Sequence, residues 1–177
     1  MFSGKLWNMN VLTPGERAAL RQSVGKKFDD ATPMAQASFC KALTKEVKDC
    51  GLSEKERDAL FASLCMRTLW RDEEISHNHR KIRFEEGLGQ LRLESSKSTE
   101  NGLSVLPNIK IPDMKKLIIQ IGHYAKRMHN MHPDILPDFE KLARDLINWD
   151  DRTHSVRWQW LAAIYQIKEI KANKEDN

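Results

Sequence analysis

Lys116, Gln120, His123, Arg127 and Asn130 follow one another at intervals of three or four residues, with Lys115 and Lys126 beside them. Side chains so spaced share one side of a helix. A row of cations in that position can track phosphates and release their counterions. The same spacing also describes an ordinary solvated face. What favours binding is the lack of interleaved acids: residues 110–131 hold five Lys or Arg and one Asp, whereas residues 134–151 hold two basic and six acidic side chains. A second basic cluster, Arg80, Lys81 and Arg83 with His79, lies in the polar run 76–83, which reads as an exposed loop. A third, Arg17, Arg21, Lys26 and Lys27, surrounds the end of the first helix, where cations also complement the helix dipole.

Other chemistries fit less well. His77 and His79 form HxH, and His129 and His132 form HxxH, but neither pair has the carboxylate spacing of a zinc hydrolase. Cys40, Cys50 and Cys65 are odd in number and lack CxxC spacing, so the expectation is reduced, mostly buried thiols. No phosphate-binding glycine loop, nucleophile elbow or HExxH occurs, and Asp150-Asp151 is better explained by a turn and an N-cap than by paired-carboxylate chemistry. Trp149, Trp158 and Trp160 could stack bases, but their helical placement beside Leu146, Val156 and Leu161 predicts core packing for all three. The residues assemble no catalytic set, and neither a metal nor a cofactor is expected.

The elements that must position these side chains are helices. Thr13-Pro14-Gly15-Glu16 is a capping box opening a helix to about Val24, and Ser53-Glu54-Lys55-Glu56 opens another carrying Leu60 and Leu64, with Leu69 beyond. Thr32-Pro33 starts a helix predicted to run through Phe39, Leu43 and Val47 to Gly51. A short helix is expected over 84–91, a polar connection over 94–101 and one helical turn over 103–106. Pro112 opens an amphipathic helix to about Met128, Pro137 another that includes Trp149, and a last helix spans 154–171 before a charged tail that frays. No strand pattern of useful length and no repeat is present.

The 177 residues are 40% hydrophobic and 31% charged, with a net charge of +4, an isoelectric point near 9.0 and a mean hydropathy of −0.61. That balance fits a soluble globular protein, and the length fits one domain or two small lobes sharing a seam; with the helices above, the expectation is an all-α protein of about eight helices, in lobes 1–91 and 103–177 joined by 92–102. No apolar run is long enough to span a bilayer, and residues 1–8 show no export signal, so a cytoplasmic protein without membrane partners is expected.

The run Pro137–Trp149, continued by Asp150–Trp160, resembles the closing signature of the CasB family, the small subunit of the type I-E CRISPR surveillance complex Cascade. Asp138, Phe139, Leu142, Asp145, Leu146, Trp149, Val156, Trp160, Ala162 and Tyr165 occupy the pattern, the spacing into Tyr165 differing by about a residue. Upstream, residues 16–23, 52–69 and 84–91 are similar to the family's first helix, third helix and glycine segment. Residues 101–106 stand where the family has an Arg-Phe pair that this chain lacks. The resemblance implies two helical bundles that bear on the guide RNA–target DNA hybrid and on the displaced strand of the R-loop through basic surface, without a cleavage site. It also implies other Cascade subunits and a second copy of the chain as partners. By matched segment it points to Arg21, Arg92, Lys116, Lys126, Arg127, Arg152 and Arg157. Two other readings stand beside it: an architectural helical adaptor for acidic protein surfaces, and a helix-turn-helix regulator, for which no helix pair here fits well.

Overall fold

The computed structural model describes residues 4–70, 80–94, 103, 106, 114–150 and 156–175, the side chains of the last stretch as far as Tyr165. Among the described residues there are eight α-helices and one two-stranded parallel sheet, as the all-α reading expects. The helices are α1 (Pro14–Gln22), α2 (Pro33–Ala42), α3 (Lys45–Asp49), α4 (Glu54–Arg67), α5 (Phe84–Leu93), α6 (Met114–Met131), α7 (Phe139–Ile147) and α8 (Val156–Glu175). The strands are β1 (Arg80–Ile82) and β2 (Ile135–Pro137).

Both capping boxes form. Glu16 Oε2 accepts the Thr13 amide at 2.7 Å while Thr13 Oγ1 accepts the Glu16 amide at 3.3 Å, and Ser53 and Glu56 repeat the exchange at 3.0 and 3.3 Å. Each box satisfies amides that a helix start otherwise leaves unpaired. The predicted continuous helix from Thr32 to Gly51 is instead broken in two. Leu43 is extended and forms an antiparallel bridge with Trp7, the Asn8 amide donates to the Ala42 carbonyl at 2.8 Å, and the Thr44 amide donates to the Leu6 carbonyl at 3.1 Å. A distant segment takes the hydrogen bonds that would have continued the helix.

Three more expectations change. Arg80–Ile82 is a strand rather than loop, because its backbone pairs in register with Ile135–Pro137; residues 76–79 lie outside the described residues. Pro137 belongs to that sheet, and Asp138 caps α7, its carboxylate accepting the Lys141 amide at 2.8 Å; Trp149 lies beyond the helix end. Cys40 and Cys50 are exposed, and only Cys65 is buried, where desolvation pushes its thiol well up. α6 runs three residues past Met128 and α8 four past Lys171, while the connection at 95–101 and most of 103–106 lie outside the described residues.

The core is one contiguous apolar cluster reaching from Leu6 to Ile164. Phe28, Phe39 and Phe61 form a triangle with ring centroids 5.5 Å apart at its N-terminal end. α4, buried along most of its length, packs against α7 and α6, and α5 lies along α8. Elements from both sides of 92–102 therefore share the cluster.

The family-like signature is the other centre of packing. Asp145 is buried; its Oδ2 accepts the Trp160 indole N–H at 2.9 Å and the Lys141 ammonium at 2.6 Å, and Lys141 also reaches Glu85 Oε1 at 3.0 Å. Trp149 meets Trp160 edge-on at 5.0 Å, and Phe84 meets Trp160 at 5.7 Å. The spacing of Asp145, Trp149 and Trp160 thus encodes how α7, α8 and α5 lock together.

Candidate nucleic-acid interface

α6 positions the strongest candidate residues. Met114, Leu117, Ile118, Ile121, Gly122, Tyr124, Ala125 and Met128 are buried, which turns Lys115, Lys116, His123, Lys126 and Asn130 outward. Gln120 and Arg127 sit half-buried at the flank, and Ile119 is exposed among the cations. Burial pushes the Tyr124 phenol up, and the nearby Arg127 charge opposes that shift. Between Met114 and Met131 there is no Asp or Glu.

Two glycines bring a second element to this face. After α1 the chain reverses through Gly25 at φ +88°, a conformation suited to glycine. A Cβ on Gly122 would come within 2.9 Å of Gly25 Cα, and one on Gly25 would meet Ile119 Cα at 3.8 Å. The turn 23–30 is therefore pressed against α6, and it carries the exposed Lys26 next to Gly25. Asp30 at the end of the turn meets Lys115, Oδ2 to Nζ, at 2.9 Å.

The remaining predicted residues are placed differently. Lys27 bridges Glu54 at 2.7 Å and the buried Asp58 at 2.9 Å, and hydrogen bonds to those two carboxylates, Glu54 foremost, raise its ammonium well above the usual range. Arg17 donates to the Met9 carbonyl at 2.9 Å and Arg21 to the Thr68 carbonyl at 2.8 Å, so both guanidiniums stitch the fold inward. Arg92 is buried; it donates to the Ile164 carbonyl at 3.3 Å and lies 4.0 Å from the Tyr165 ring centroid. Arg157 faces Asp150 at 3.3 Å, and Arg152 lies outside the described residues. Arg80 and Lys81 are exposed on β1, whereas Arg83 pairs with Glu86 at 2.7 Å and approaches Glu85 at 3.6 Å. Beside Lys81 a cleft of about 610 Å³ is floored by Trp7, Met9 and Phe139; Glu86, Asp138 and Glu140 line it together with Lys5, Arg67 and Arg83, so its field is mixed in sign.

The exposed basic side chains of this region are Lys26 on the turn and Lys115, Lys116, His123 and Lys126 along α6, with the Asp30 carboxylate on Lys115. Among the described residues no group of three His, Cys, Asp or Glu side chains is arranged to hold a metal ion, and no helix is long and apolar enough to cross a membrane. Trp149 and Trp160 are core residues as expected, but Trp158 is not: it stands 70% exposed.

The family model for CRISPR-associated protein Cse2 matches residues 16–165, most of the chain and all of α2 through α7. The chain belongs to the Cse2 family. This is the CasB-type resemblance carried by the Asp138–Trp160 signature. Solved structures with the same fold include M. ruber CasB, 18% identical with a TM-score of 0.67 over 92% of this chain and 90% of that one. A chain of a CRISPR RNA-guided surveillance complex is 16% identical, with a TM-score of 0.67 over 92% and 88%. A CRISPR-associated Cse2-family protein from Thermus thermophilus is 17% identical, with a TM-score of 0.61 over 85% of each chain. At these identities the likeness establishes the fold. No curated protein matches the chain in sequence. The signature proves to be core: apart from Ala162 and Tyr165 its matched residues are buried or, for Asp138, cap a helix, and among the described residues the exposed Lys and Arg lie elsewhere.

Proposed function

We propose that this chain is the non-catalytic small subunit of a type I-E Cascade assembly in the cytoplasm. In this reading it holds nucleic-acid backbone without sequence preference and stabilises the guide RNA–target DNA hybrid and the displaced strand, alongside the other subunits and a second copy of itself. The observation that carries the proposal is the approach of Gly25 to Gly122, which brings the turn bearing Lys26 against a helix with no carboxylate of its own over eighteen residues. Flexible ammonium groups on a turn and a helix suit phosphates met in any base sequence. Membership of the Cse2 family and a shared fold with a chain of an RNA-guided surveillance complex support the assembly.

The test is a salt titration. Each phosphate contact contributes about 0.7 to the slope of log affinity against log salt for a single strand. Replacing Lys26, Lys116 and Lys126 together with alanine is expected to lower that slope by about 2 and to weaken binding of unrelated sequences alike. An unchanged slope would acquit the ridge. A chain that joins its partner subunits after nuclease treatment and shifts no DNA or RNA would favour the architectural adaptor.

Asp30 supplies a second check. Its carboxylate sits where a phosphate would meet Lys115, so it competes with the ligand. Asp30→Asn is expected to tighten single-strand binding by up to about fivefold at low salt, the free-energy range of an exposed ion pair, and the gain should fade as salt screens the contact. A fluorescent oligonucleotide titrated at two ionic strengths reads both effects.

A further inference from the structure

Trp158 is the most exposed large apolar side chain described, at 70%, whereas Trp7, Trp70, Trp149 and Trp160 are at 4% or less. Leaving so large a ring in water forgoes the free energy of its burial. The ring belongs to a defined surface. Leu161 and Ala162, half-buried, and Tyr165, exposed, follow it at helical spacing along one side of α8. The far end of this stripe is anchored, because the Arg92 guanidinium lies 4.0 Å from the Tyr165 ring centroid and is itself bonded to the Ile164 carbonyl.

We propose that Trp158 is a stacking platform for an unpaired base of single-stranded nucleic acid. The inference rests on the nucleic-acid reading above and adds to it a subsite away from the lysine ridge, one that distinguishes unpaired from paired strands. Two observations select this occupant. Between Val156 and Tyr165 the helix carries Arg157 and no carboxylate of its own, and the Asp150 carboxylate near its start is paired with Arg157 at 3.3 Å, so little negative charge opposes a polyanion there. The exposed part of the stripe is also small: Trp158 and Tyr165 are its only exposed large apolar side chains among the described residues. Two aromatic side chains bury at most about 250 Å² each, well short of the roughly 1,200 Å² or more of a stable protein interface. A base presents a flat apolar face matched to one indole, and a duplex keeps that face covered.

Because the other four indoles are buried, quenching of tryptophan emission by acrylamide reports chiefly on Trp158. With the full-length chain at low salt, an oligo(dT) strand is expected to protect the emission, and a duplex of equal length is expected not to. Trp158→Ala should weaken oligo(dT) binding about five- to a hundredfold, the range of one stacked base, while leaving duplex affinity, the salt slope and the melting temperature unchanged. Trp158→Phe should restore most of the loss. If oligo(dT) binds with a normal salt slope while Trp158 stays open to acrylamide and Trp158→Ala binds equally well, the platform is refuted and the lysine ridge stands. If no single strand binds at all, both readings fall. Protection that appears only on adding other protein subunits, with DNA absent, overturns the platform in favour of a protein contact.

Discussion

Lys141→Met is expected to lower the melting temperature by on the order of 10 °C, the shift that about 3–5 kcal/mol produces in a chain of this length. The Lys141 ammonium lies between two buried carboxylates, 3.0 Å from Glu85 and 2.6 Å from Asp145. Burial alone would lower its pKa; the hydrogen bond and charge of Asp145, together with Glu85, reverse that and raise it. Methionine fills a similar volume but leaves Glu85, 1% exposed, with only the longer contact to Arg83, and leaves Asp145 charged beneath Trp160. Because the folded-state pKa of Lys141 is raised above its unfolded value, the stability it contributes is fully present at neutral pH and is lost as pH rises past the ordinary lysine range. The gap between wild type and variant should therefore narrow from pH 7 to pH 11. Circular-dichroism melts at both values check it. A gap below about 1 kcal/mol that ignores pH would mean that the cluster acts as a surface ion pair.

Gly122→Ala should also destabilise the chain, against helix propensity. Alanine in place of glycine inside a helix normally gains about 1 kcal/mol. Here the added methyl would lie 2.9 Å from Gly25 Cα, 3.0 Å from Gly25 N and 3.3 Å from Val24 Cγ1. Two of those neighbours are backbone, so the turn itself must move, and overpacking of this kind costs about 1–3 kcal/mol. Displacing the turn carries Lys26 away from α6. The variant is expected to melt earlier and to lose about one phosphate contact, a drop near 0.7 in the single-strand salt slope. A more stable Gly122→Ala protein with undiminished binding would show that the close approach positions nothing.

What the sequence disclosed was local. Thr13 with Glu16, Ser53 with Glu56, and the apolar stripe from Met114 to Met128 are read within a few residues of themselves, and each formed as expected. What escaped depends on chain far away. The break at Leu43 needs Leu6 and Trp7, and β1 needs Ile135–Pro137. The inward turn of Arg92 depends on Ile164, 72 positions later, so composition could not separate that arginine from a surface cation. Gly122 did leave a signal, since a glycine in the middle of a strongly amphipathic helix asks for a packing reason. Trp158 left none: its neighbours in the sequence are those of a core residue, and only the orientation of α8 turns it outward.

The amino-terminal strap has a consequence for how the molecule is made. Gly4–Asn8 closes the gap between α2 and α3, and the Gly4 carbonyl accepts the Arg144 guanidinium at 2.8 Å across 140 positions. Gly4 thus awaits a partner made 140 residues later, and closures over such separations are slow to form. Until then the bonds to Ala42 and Thr44 hold the strap, which closes in two stages, the nearer one first.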